Sequence, residues 1–237
     1  MALIAADEIR VELANTSKSD EDKLSIFTDL FMAYGDALEA IRSELKQVSA
    51  KNEKQKSTKS ENEEANLQYL LKYISYLKLT KTIERNEILV SQLKKSFESG
   101  GKKKAKPEEL VRIYDNLIQN YKELQEIADE NDVENNKVVA AKGLSCRAAR
   151  CRFMAHSYSN NKEWANALGL LDRCTSHIGV AKEHHLDCLN HDKAEISSLE
   201  QLQKQVDEDR SFIKTKIYLE SLEQVIIFAN LNESMKI

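Results

Sequence analysis

His184, His185, Cys188 and His191 fall within the eight residues HHLDCLNH. Imidazole nitrogens and a cysteine thiolate are common zinc ligands. On a helix His184 and Cys188 stand at i, i+4, and Cys188 and His191 at i, i+3, so three ligands can share one face. A distant second ligand pair to complete a tetrahedral site is missing, and an exposed polar stretch between helices is the competing reading. Two basic clusters suggest phosphate chemistry instead. Lys102, Lys103, Lys104 and Lys106 form one tract, and Arg147, Arg150 and Arg152 lie close together on one helix. The lysine tract carries no interleaved aromatics for base stacking. The lysines also suit a solvated loop, and the arginines suit pairing with acids on a neighbouring helix.

Catalytic signatures are not found. There is no glycine-rich phosphate loop and no nucleophile with an identifiable base and orienting acid. The carboxylate pairs Glu63-Glu64 and Glu108-Glu109 sit at helix starts, where the helix dipole favours negative charge. The residues point to a protein that is not an enzyme and needs no cofactor.

The elements that position these residues are helical. One proline and six glycines in 237 residues leave long uninterrupted helices as the economical reading. The 31% of charged residues suits helices with solvated outer faces. A net charge of -4 argues against a chain that binds mainly by neutralising phosphates. No apolar run approaches the ~18 residues of a membrane span, and the four cysteines form no C-x-x-C pair, which suggests cytosolic, reduced thiols.

Periodicity predicts a short helix over MALIAADEIRVEL and a second one opened by a Ser19/Asp22 capping box, with Leu24, Phe27, Leu30, Phe31, Tyr34, Leu38, Ile41 and Leu45 on its apolar face. Residues 1–48 are expected to hold these N-terminal helices. Residues 49–64, without a large apolar side chain, are expected to form a flexible polar linker. Residues 65–237 then form a domain of antiparallel helical hairpins. Its first helix is opened by Ser60 and Glu63 and stopped at Gly100-Gly101, with two stripes, a leucine-rich one and Tyr69, Tyr73 and Tyr76, packed between neighbours. Pro107 opens the next helix. Further helices are predicted from about Val138 to Tyr158, from Trp164 to about Ile178, and near Ala194–Asp207 and Phe212–Leu231.

The stretch RFMAHSYSNNKEWANALGLLDRC resembles a tetratricopeptide hairpin. Ala155 and Tyr158 fit the end of its first helix. Trp164, Ala167, Leu171 and Cys174 fit the inner face of its second, where small residues permit close approach. The fold expected is therefore all-α, a tetratricopeptide-like helical solenoid, although no clean repeat of fixed period is present. If Trp164 is buried, its truncation should cost about 3–5 kcal/mol.

Three segments together resemble one family: NLQYLLKYISYLKLTKTIERNE from Asn66, KPEELVRIYDNLIQNYKEL from Lys106, and RCRFMAHSYSNNKEWANALGLLDRC from Arg150. LFMAYGDALEAIRSELK and LEQLQKQV fit the same order, and the similarity runs from about Ile9 to about Leu222. The chain is similar to the 68-kilodalton subunit of the signal recognition particle, in its middle and later part. That resemblance implies a non-enzymatic scaffold subunit in co-translational targeting to the endoplasmic reticulum. It implies assembly with the 72-kilodalton subunit and the particle RNA, and a cytoplasmic particle, nucleolar during assembly and associated with the endoplasmic reticulum, without membrane insertion. It also implies that the family's N-terminal RNA-binding domain and C-terminal partner-binding tail lie outside this chain. A generic tetratricopeptide-like adaptor and an RNA-contacting module using the basic loop are the alternatives.

Overall fold

A computed structural model of the chain describes residues 2–14, 19–54, 58–99, 104–128, 132–189 and 192–234. These form seven helices: α1 (Ala2–Leu13), α2 (Asp20–Lys54), α3 (Thr58–Glu98), α4 (Pro107–Ile127), α5 (Val133–Asn160), α6 (Trp164–Leu186) and α7 (Lys193–Ser234). No strand occurs among the described residues, and the chain is all-α.

Local signals explain three of the helix starts. At α2 the Ser19 hydroxyl oxygen accepts from the Asp22 backbone N–H at 3.2 Å, which satisfies an orphan donor of the first turn. Pro107 opens α4, where its missing N–H costs nothing, and the Lys106 N–H donates to Glu109 Oε2 at 3.3 Å. Asp132 caps α5 by accepting from the Asn135 N–H at 3.2 Å. That cap starts α5 five residues before the expected Val138, because the polar run VENNK continues the helix rather than breaking it.

Other boundaries also differ from expectation. The described parts of 49–64 are helical: α2 runs to Lys54 and α3 begins at Thr58, ahead of Ser60. Lysine, glutamate and glutamine have good helix propensity even without an apolar face. Ser49 Oγ donates to Glu64 Oε1 at 2.6 Å and ties the two helices there. Gly100 and Gly101 lie outside the described residues. The two late helices are one, since DEDRS contains no breaker and the Ser211 hydroxyl bonds back to the Asp207 carbonyl at 2.8 Å.

The chain divides into two compact units, Met1–Ser91 with Asn120–Asn131, and Gln92–Gln119 with Asp132–Ile237. The core of the first contains Phe27, Leu30, Tyr34, Leu38 and Ile41 of α2 with Ile74 of α3 and Ala6 and Leu13 of α1. Asn86, 3% exposed, satisfies its buried amide by donating to Asn120 Oδ1 at 3.0 Å. The tyrosine stripe of α3 is packed only in part: Tyr69 and Tyr73 are 73% and 48% exposed, while Tyr76 is half-buried. Leu70, Leu71 and Ile74 face the α2 core, and a tyrosine tolerates water through its hydroxyl.

In the second unit the core runs along α5, α6 and α7 through Ala148, Cys151, Ala155, Ala167, Leu171, Cys174, Ile178, Leu199, Val206 and Ile213. Beside it Phe153 stacks on Tyr114 at 5.9 Å and meets Phe97 edge-on at 5.5 Å. These rings seat the start of α4 and the end of α3 against α5.

Candidate functional site

The hairpin of α5 and α6 is closed by a tight turn. Asn161 donates its N–H to the Tyr158 carbonyl at 3.1 Å, and Glu163 donates to the same carbonyl at 2.9 Å. Lys162 takes the left-handed backbone conformation between them, at φ 61. Above the turn the helices approach closely because their facing positions are small. Ala148, Ala167 and Cys174 are fully buried, and the Cys174 thiol donates to the Ala148 carbonyl at 3.0 Å. Burial pushes that thiol's pKa up to about 12, so it stays protonated and acts as a packing group. Tyr158 and Trp164 are half-buried against the same core.

Polar clamps hold α7 on the hairpin. Arg152 donates from Nε to Asp209 Oδ2 at 2.7 Å and from its fork to Gln205 Oε1 at 3.0 Å. His156 Nε2 lies 3.1 Å from the same Asp209 oxygen. Burial would raise the Asp209 pKa, but the adjacent His156 ring and the Arg152 guanidinium outweigh it and hold the carboxyl below its ordinary value. Trp164 donates its indole N–H to Glu220 Oε2 at 2.7 Å, and Arg210 reaches Asp172 at 2.8 Å.

An open cleft of about 450 Å³ lies between α4 and α5. Val111, Met154 and Tyr158 line it together with the charged Glu108, Arg112 and Asp115.

Comparison with known proteins decides the assignment. A family model described as RNA-binding signal recognition particle 68 matches residues 1–231. The chain belongs to the signal recognition particle 68 family. It is 31% identical over 189 residues to the signal recognition particle subunit SRP68 of Drosophila melanogaster, covering 76% of this chain and 30% of that protein. The SRP68 subunit of Caenorhabditis elegans is 29% identical over 177 residues, covering 74% and 26%. That of Dictyostelium discoideum is 24% identical over 197 residues, covering 78% and 31%. The chain thus spans about a third or less of the length of these SRP68 relatives.

The basic residues of this SRP68-family chain fall in different environments. Lys102 and Lys103 lie outside the described residues. Lys104 places its ammonium 4.6 Å from the Phe97 ring centroid, and Lys106 is exposed at the start of α4. Arg150 pairs with Asp115 of α4, and Arg152 is the buried clamp on Asp209. Arg147 is exposed.

The histidine and cysteine candidates do not share an accessible face. His184 is exposed, while His185 is 3% exposed with Nε2 3.0 Å from Ser145 Oγ. The Cys188 thiol is buried and donates to the His184 carbonyl at 3.3 Å, and burial raises its pKa. His191 lies outside the described residues. Among the described residues no three histidine, cysteine or carboxylate side chains gather at metal-binding distance.

Sequence reasoning missed Asp209, Gln205 and Glu220, whose partners lie more than fifty positions away. It also missed Arg173 and His177 of α6. Their i, i+4 spacing was readable, but nothing local set them beside Arg147.

Proposed function

We infer that the chain is a non-enzymatic scaffold segment of a signal recognition particle 68-kilodalton subunit, serving co-translational protein targeting to the endoplasmic reticulum. The observation that carries this reading is the family match over residues 1–231. The hairpin of α5 and α6, closed over small residues and clamped to α7, supports it. Such a bundle keeps a surface rigid and supplies no reacting groups. Among the described residues no helix is long and apolar enough to cross a membrane. The particle is cytoplasmic in this reading, nucleolar during assembly and associated with the endoplasmic reticulum when targeting. The protein partner is the 72-kilodalton subunit.

A pull-down of the purified chain with the 72-kilodalton subunit, and separately with particle RNA, tests this. Capture of the protein partner is the expected result. Capture of neither would remove the scaffold reading for this segment. A second reading, direct contact with RNA through Lys102, Lys103, Lys104, Lys106, Arg147 and Arg150, is favoured by the exposure of Arg147 and Lys106.

A further inference from the structure

The antiparallel register of α5 and α6 sets Ala148 opposite Cys174. Arg147 adjoins Ala148, whereas Arg173 and His177 flank Cys174 one residue before and three residues after it. The three therefore meet along one edge of the hairpin. Arg147 and Arg173 are exposed and His177 is half-buried. The charges that act on His177 are Arg173 and Arg147, both positive; together with burial they push its pKa below the ordinary value. Arg173 and Arg150 likewise are the charges that act on buried Cys151. Neither Arg147 nor Arg173 has a carboxylate partner among the described residues. Arg150, one turn along α5, has its charge answered by Asp115.

Two guanidinium groups on one edge without a counter-charge leave a positive surface, which an anion with several oxygens completes. The neutral imidazole adds a hydrogen-bond donor. We propose that Arg147, Arg173 and His177 form a contact surface for consecutive phosphates of an RNA backbone. This assignment rests on the RNA-contact reading above and moves its centre from the lysine loop to the hairpin edge. An acidic protein is the less suitable occupant. A protein interface is anchored by aromatic or large apolar side chains, and the residues that intervene on α6 here are Cys174, Thr175 and Ser176. Backbone contact to RNA requires charge and donors without such anchors.

The test is filter binding of a short radiolabelled RNA duplex of arbitrary sequence to the whole chain at roughly 50 and 200 mM salt. Compared are the unsubstituted chain, Arg147→Gln/Arg173→Gln, the charge-keeping Arg147→Lys/Arg173→Lys, and a variant with Lys102, Lys103, Lys104 and Lys106 all changed to Gln. The arginine-to-glutamine variant should reduce the salt slope by about 2, so that the ratio of Kd between the two salts falls about tenfold. The lysine-for-arginine variant should keep most of the slope. Circular dichroism should show equal helicity in all four, since the substituted arginines are exposed. No binding by the unsubstituted chain would overturn the RNA-contact reading itself and this site with it. Binding whose slope falls only in the loop-lysine variant would overturn the hairpin site and keep that reading. Equal binding of polyglutamate with the same dependence on the two arginines would overturn the choice of RNA.

Discussion

Arg152 on α5 and Asp209 on α7 meet at 2.7 Å with side chains only 10% and 18% exposed. A pair so far from water is stabilising only while both members are present, since either alone is an uncompensated charge. Arg152→Ala should cost about 3–5 kcal/mol in urea unfolding. The double variant with Asp209→Ala should recover part of that loss; single-variant losses that simply add in the double variant would show that the pair is not coupled. Acid provides a second check. The Asp209 pKa is depressed, so its contribution is present above the ordinary carboxylate value of about 3.9 and lost as the pH falls below it. Asp209→Asn should flatten this part of the acid unfolding curve.

His185 gives a pH dependence in a milder range. Burial pushes its pKa below the ordinary value of about 6.5, so the unfolded chain takes up the proton first. Stability is therefore full above about pH 6.5 and declines as the pH falls through it. The urea midpoint should drop between pH 7.5 and 5.5, and drop less in His185→Gln. Identical drops in the two proteins would count against a buried neutral imidazole.

Ala167 has no exposed surface and sits in the core shared by α5, α6 and α7. Ala167→Leu adds three carbons where no space exists. The expected loss is about 1–3 kcal/mol by denaturant titration. A neutral result would mean the hairpin can open at that level without penalty.

Trp164 calls for a smaller figure than full burial implies. It is half-buried, with its N–H held by Glu220 at 2.7 Å. Trp164→Ala should cost about 2 kcal/mol, below the ~3–5 kcal/mol of a buried indole. Trp164→Phe, which keeps most of the ring contact, should cost about 1 kcal/mol for the lost hydrogen bond. Measured losses of the same size for both would assign the whole effect to Glu220.

The readable parts of this molecule were those governed by neighbours in the chain. Ser19 with Asp22, and Pro107 with Glu109, mark helix starts through groups three residues or fewer apart, and the alanines of the 155–174 stretch mark a close helix pair through local size alone. Helix ends were harder. The polar runs VENNK and DEDRS looked like breaks because apolar periodicity lapses there, yet neither contains a proline or a glycine. The tyrosines of α3 show the converse limit, because periodicity reports which side chains share a face and not whether that face is covered. Arg147, Arg173 and His177 were legible only as separate residues. Their meeting depends on the register of two helices, which the close packing at Ala148 and Cys174 sets.

The indole of Trp164 has one more consequence, because the chain contains a single tryptophan and eight tyrosines. Light absorbed at the red edge of the protein band excites that indole alone. Its emission comes from the junction of α6 with α7, where Glu220 holds the N–H. The protein thus carries a built-in optical probe: a shift in emission colour registers release of α7 from the start of α6, while the first compact unit, which has no tryptophan, stays dark.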